Sequence, residues 1–169
     1  MTSAGAVSIS RAQPWLQGPL QSTLAARLGG AVRVVRDGEA HLFAALTRIA
    51  RDRHPVVTIA SGSSLAVAMT DERGRLRRPV SDANWEFGDV RINTSASEKE
   101  VWWALGRRGF DELVERNGTS GAERPFGARL GAYAAELCGV FALRTVVLSG
   151  GIVAAHGAAI RAAAQEEFS

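Results

Sequence analysis

Between residues 55 and 70, two apolar and largely β-branched runs, Val56-Val57-Thr58-Ile59-Ala60 and Leu65-Ala66-Val67-Ala68-Met69-Thr70, are separated by Ser61-Gly62-Ser63-Ser64. Short apolar runs bounded by turn residues read as buried strands, and a small, glycine-containing link of this length joins antiparallel partners. Asp71-Glu72-Arg73-Gly74 turns the chain once more. The middle of the sequence is therefore predicted to be an antiparallel meander.

On the N-terminal side, Leu20, Leu24 and Leu28 recur every four residues before Gly29-Gly30, which predicts a helix with a glycine stop. Residues 31–35 form a β-branched run that reads as a buried strand, ended by Asp37-Gly38, and Leu42, Leu46 and Ile49 give residues 39–51 helical spacing. Beyond the meander, a loop over residues 84–88 leads to a strand candidate at 89–92. Helices are predicted over 98–107, with Ser97 as cap, and over 110–116 after a break at Gly109. Residues 117–125 are turn-rich and read as a mobile link. Leu130, Tyr133, Ala134, Leu137 and Val140 place a helix over 126–141, in a small-residue background suited to close packing on a sheet. A strand at 145–148 then runs through Ser149-Gly150-Gly151 into a last helix over 153–168. This order of elements is that of an α/β fold with a mixed sheet.

The 169 residues are 46% hydrophobic, enough for a sizeable core in one domain or one and a fraction. The net charge of +3 raises the question of nucleic acid, but lysine occurs once (Lys99) and 17 acidic residues are interspersed among 20 basic ones. The one dense basic cluster, Arg73 to Arg78, lies at the predicted turn without aromatic interleaving, so a solvated turn is expected rather than a nucleic-acid site. No stretch approaches the ~18–20 apolar residues of a membrane span and no secretory pattern opens the chain, so a cytoplasmic location is expected. The single cysteine, Cys138, reads as a small core residue.

Five local patterns could carry chemistry. Asp37 stands where the predicted strand at 31–35 meets a helix, a place where side chains face ligand crevices, although a turn former or helix cap explains it too. The turn Gly62-Ser63-Ser64 can present amides and hydroxyls to phosphate oxygens, or can be plain hairpin chemistry. Glu86-Phe87-Gly88-Asp89 pairs two carboxylates suited to a polyol, or forms a solvated acidic loop. Glu112 alone is an ordinary surface acid. Ser149-Gly150-Gly151 lets a backbone approach closely at a helix start, which suits a phosphate or a nucleotide base, or is simply a tight strand-to-helix turn.

Taken in order, these patterns resemble the bacterial glucokinase family, related to the ROK kinases, over about residues 15–168. The resemblance implies an actin-like (ribonuclease H-like) sugar-kinase lobe, an α/β fold with a mixed sheet flanked by helices. On this reading residues 1–52 are the remnant of an N-terminal lobe and 53–169 a C-terminal lobe. Val35-Arg36-Asp37-Gly38 is similar to the family's Asn-Asp motif, which makes Asp37 the implied catalytic base, with Arg36 in place of asparagine. Gly62-Ser63-Ser64-Leu65-Ala66 is similar to a Gly-Thr-Gly-x-Gly phosphate loop, with Ser64 and Ala66 replacing two glycines. Glu86-Phe87-Gly88-Asp89 is similar to a sugar-binding Glu-x-Gly-His motif, with Asp89 in place of histidine, and Glu112 stands for a later sugar-binding glutamate. Gly150 and Gly151 correspond to an adenosine-facing loop.

The resemblance thus implies ATP and Mg²⁺, a hexose such as glucose as substrate, and a homodimer or a missing partner segment. A zinc-binding cysteine cluster found in a related branch has no cysteines to match it over residues 103–110, so zinc is not expected. The family's first phosphate loop has no counterpart before Asp37. The implied function is therefore hexose phosphorylation, impaired or incomplete, or a catalytically silent sugar-binding module derived from such a kinase.

Overall fold

The computed structural model describes residues 18–77, 91–93 and 98–168. The hairpin forms as its composition demands. Strands β1 (Val56–Ser61) and β2 (Leu65–Thr70) pair antiparallel from Ser61 opposite Leu65 to Val57 opposite Met69, and β3 (Leu76–Arg77) adds to β2. Asp71 holds the intervening turn, its Oδ1 accepting the backbone N–H groups of Arg73 and Arg75. Apart from this sheet, β4 (Arg91–Asn93) and β5 (Glu98–Glu100) make a two-stranded antiparallel ribbon.

Strand β6 (Thr145–Ser149) returns beside β1 in parallel register, Val56 opposite Thr145 through Ala60 opposite Ser149, which makes the sheet mixed, in the order β3-β2-β1-β6. A parallel neighbour requires a crossover, and α3 (Val101–Ala104) and α4 (Arg107–Phe141) lie along that connection. At the start of β6, the Arg144 N–H donates to Pro55 O and the Thr145 hydroxyl to Arg53 O, so both parallel strands begin level.

Period-two alternation sends successive side chains of each strand to opposite faces. Val56, Ala68 and Val147 point to one face, where Leu42 and Leu46 of α2 (Asp37–Leu46) cover them. Val57, Ile59, Met69, Val146 and Leu148 point to the other. There Phe126, Leu130 and Leu137 of α4 meet Ile152, Val153 and Ile160 of α5 (Gly151–Phe168) in the main core. Phe110 and Phe126 meet edge to face, with ring centroids 5.2 Å apart. Strands apolar on both faces need cover on both, and the helices supply it. Helix α1 (Leu20–Leu28) is capped by Gly29 in the left-handed conformation, φ 65°, and none of its residues is buried.

Four segments differ from expectation. Residues 31–35 form no strand and pair with none among the described residues; β-branching favours a pleated surface only where a neighbour completes it. Residues 98–100, expected to be helical, are the second strand of the small ribbon; the helix spans only Val101–Ala104, and the break predicted at Gly109 falls instead at Leu105-Gly106, with Gly109 buried inside α4. The predicted helix over 39–51 ends at Leu46, and a single 3-10 turn follows at Arg51–Arg53. The span 117–125, read as a mobile link, lies within α4. Two helical stretches meet there at a kink at Gly118 (φ 70°, ψ 168°), and Ala122 and Phe126 of the second bury in the same core as Leu113 of the first, which holds residues 119–125 helical.

Candidate functional site

Three segments distant in sequence meet at one end of the sheet. Strand β1 ends at Ser61, whose hydroxyl donates to Leu105 O at 2.6 Å, and the turn closes with the Gly62 N–H donating to Ser64 O at 3.0 Å. The Arg107 N–H donates to Gly62 O at 2.7 Å and fastens the start of α4 to the same turn. Gly106 lies against the turn from the other side; a Cβ there would sit 3.1 Å from the Ser64 Cα.

Strand β6 ends one residue before Gly150. This glycine has φ 94°, and a Cβ on it would lie 2.2 Å from Ser61 O, so only glycine permits the two strand ends to converge. Helix α5 begins at once with Gly151. Helix α2 reaches the same place from the opposite sheet face, its Gly38 close enough to β2 that a Cβ would stand 3.1 Å from Val67 O.

The convergence leaves a cleft of about 410 Å³ lined by Asp37 and His41 of α2, Gly62, Ser63 and Ser64 of the turn, and Gly150 and Gly151 at the start of α5, with Ala60, Ala66 and Ala154 between them. Asp37 is solvent-exposed as the first residue of α2, with Arg36 extended at the cap position, and its Oδ1 accepts the Gly38 N–H at 2.8 Å. It therefore makes the local contact expected of a helix-start acid and also faces the cleft. Ser63 and Ser64 are exposed.

All of the candidate residues Asp37, Gly62, Ser63, Ser64, Gly150 and Gly151 share this cleft. Glu86 and Asp89 lie outside the described residues. Glu112 does not line the cleft; it stands on α4, where the Arg116 guanidinium bonds its Oε1 at 2.5 Å. Arg129, half-buried nearby, is held below the usual arginine range mainly by loss of solvent, with Glu112 opposing that effect. His41 was not singled out from the sequence. The available signal was its spacing of four from Asp37, which puts both on one helix face.

No protein-family model matches the chain, and no curated protein matches it by sequence. Solved structures do. A ROK family glucokinase from Streptomyces griseus, in complex with glucose and AMPPNP, superposes with a TM-score of 0.76 at 17% identity, over 98% of this chain and 68% of that one. An inorganic polyphosphate/ATP-glucomannokinase from Arthrobacter sp. strain KM gives 0.65 at 21% identity over 99% and 69%. A ROK family transcriptional regulator, homologous to the E. coli Mlc protein, gives 0.78 at 14% identity over 99% and 51%. This chain spans between half and just over two thirds of those proteins. It has the fold of the ROK sugar kinases, an α/β actin-like architecture with a mixed sheet flanked by helices.

Proposed function

We propose that this chain forms the phosphate-donor and base-bearing part of an ATP-dependent hexose kinase. The observation that carries the reading is the meeting of Asp37, the turn Gly62-Ser63-Ser64 and the Gly150-Gly151 helix start around one cleft. The nucleotide and glucose held by the S. griseus glucokinase support these two ligand classes.

In this mechanism the Asp37 carboxylate accepts the proton of a sugar hydroxyl as that oxygen forms a bond to the γ-phosphorus; the bond to the bridging oxygen breaks and ADP leaves. A positioned base of this kind contributes roughly 10²–10⁴-fold. The larger share falls to orientation and charge stabilisation, for which the turn offers the hydroxyls of Ser63 and Ser64 and the start of α5 offers backbone N–H groups. The family resemblance assigns Glu86, Asp89 and Glu112 to the sugar hydroxyls, Glu112 from outside this cleft.

Among the described residues no group of three or more His, Cys, Asp or Glu is placed to hold a metal ion. The one carboxylate among the described cleft residues, Asp37, is the proton acceptor, so these residues leave Mg²⁺ no carboxylate of its own, and the ion would come with the donor phosphates, whose charge it would neutralise.

The test is ADP release from ATP and Mg²⁺ across a panel of hexoses, with Asp37→Ala as control. Sugar-dependent turnover that the substitution abolishes supports the kinase; a folded chain without turnover rejects a self-sufficient enzyme. A second reading, a silent sugar-binding module, draws on the likeness to the ROK transcriptional regulator and on Arg36, Ser64 and Ala66 at positions where the kinase motifs differ. Hexose binding by calorimetry without turnover would favour it.

A further inference from the structure

We infer that His156 is a positioning residue for the cleft: held by α4, it fixes the direction in which the first turn of α5 leaves the rest of that helix, and so the place of the cleft wall that this turn forms. The inference rests on the reading that the cleft takes a nucleotide.

Helix α5 is not continuous. His156, with φ −124° and ψ 19°, departs from helical dihedrals and divides it into residues 151–155 and 157–168. The two parts have different neighbours. In the longer one, the backbone at Ile160 and Ala164 lies directly on Gly127 and Gly131 of α4, and Ile160 is fully buried. In the shorter one, Gly151 and Ala154 line the cleft. A kink of this kind has an identifiable cause, and here a glycine follows the joint. A Cβ on Gly157 would stand 2.6 Å from Nη1 of Arg161, whose guanidinium folds back over it.

The side chain of His156 fastens the joint to α4. Its Nδ1 donates to Glu123 Oε1 at 3.0 Å, and its ring packs on Phe110 with centroids 4.8 Å apart. A carboxylate oxygen accepts, so the ring hydrogen sits on Nδ1. Both anchors are themselves held, because Phe110 is buried against Phe126 and Glu123 follows the fully buried Ala122. Only 22% of the His156 side chain and 23% of the Glu123 side chain are exposed, so water competes little for the bond. The first turn of α5 is thus pinned at both ends, at Gly150 against Ser61 O and at His156 against α4. Without the second pin it pivots on the first. Gly151 and Ala154 then shift relative to Ser63, Ser64 and Asp37, while the core between α4 and the longer part of α5 stays in place.

The experiment is calorimetric titration of the full chain with AMPPNP and Mg²⁺, with urea denaturation of the same samples. Wild type is compared with His156→Ala, Glu123→Ala, the double variant, and His156→Asn, whose amide nitrogen can replace the Nδ1 donor. Affinity per folded molecule should fall about tenfold in His156→Ala and several-fold in Glu123→Ala. The double variant should bind no more weakly than His156→Ala, since both changes remove one bond, and His156→Asn should recover most of the loss. A residue that served stability alone would move the urea midpoint and leave that affinity unchanged. Glu123→Ala leaves the ring in the core and gives the same reading if His156→Ala does not fold. Unchanged affinity in either single variant, or additive losses in the double, overturns the inference and leaves the nucleotide cleft standing. No binding by wild type overturns both.

Discussion

Tyr133 is the sole tyrosine of the chain and is buried in the α4 layer, yet its hydroxyl has no hydrogen-bond partner among the described residues. Loss of solvent, helped by Glu136, pushes its phenol well above the usual tyrosine range. The folded state holds that proton more tightly than the unfolded state, so its contribution to stability is complete below about pH 10 and is lost as the pH rises from there. Tyr133→Phe removes the unpaired hydroxyl. Urea denaturation at pH 7 should show unchanged stability or a gain of up to about 1 kcal/mol, and the decline above about pH 10 should become shallower. Gly150 is the opposite case, a position where one methyl is too many. With φ 94° and Ser61 O in the way, Gly150→Ala should cost about 2–5 kcal/mol in the same assay and displace the serine turn.

At the scale of elements, α4 and α5 approach through glycine. A Cβ at Gly127 would stand 2.5 Å from Ile160 O and one at Gly131 2.4 Å from Ala164 O, so two successive turns of α4 lie directly on the α5 backbone. Alanine for glycine inside a helix ordinarily gains up to about 1 kcal/mol. Here Gly127→Ala and Gly131→Ala should each lose about 1–3 kcal/mol through overpacking. Gly139→Ala, on the same helix with open space around it, should keep the ordinary gain. Thermal denaturation of the three variants reads the sign directly; a gain at Gly127 would refute this close crossing.

The same elements show where the sequence was legible. The hairpin, β6, α1 and the final helix follow from period and punctuation, because alternation and glycine stops are local properties. Residues 31–35 formed no strand and residues 98–100 formed one, against expectation, because strand formation is decided by a partner that local spacing does not reveal. Residues 117–125 carried the marks of a loop; Gly118 kept them as a kink, and burial of Ala122 and Phe126 outweighed them in the residues that follow. Within the site, Asp37, the serine turn and the Gly-Gly start were visible as motifs. Their convergence, and the presence of His41 beside them, needed the third dimension.

For the molecule as a whole, the cleft is bounded by α2, the β1–β2 turn and the start of α5, so a ligand seated in it touches segments more than a hundred residues apart. Such a ligand stabilises the entire fold by mass action. AMPPNP at a hundredfold excess over its Kd should add about 2.7 kcal/mol, visible as a raised Tm; an unmoved Tm at any concentration would remove nucleotide from the proposal. The fastening of Ser61 bears on how that binding proceeds. Its hydroxyl is committed to Leu105 O, its backbone meets Gly150 at a distance that excludes any side chain, and Gly62 O holds the first amide of α4. The conformational entropy of this turn has been surrendered during folding rather than at the moment of encounter. Affinity at the turn is then governed by the contacts a phosphate makes there, and its association need not wait for the turn to order.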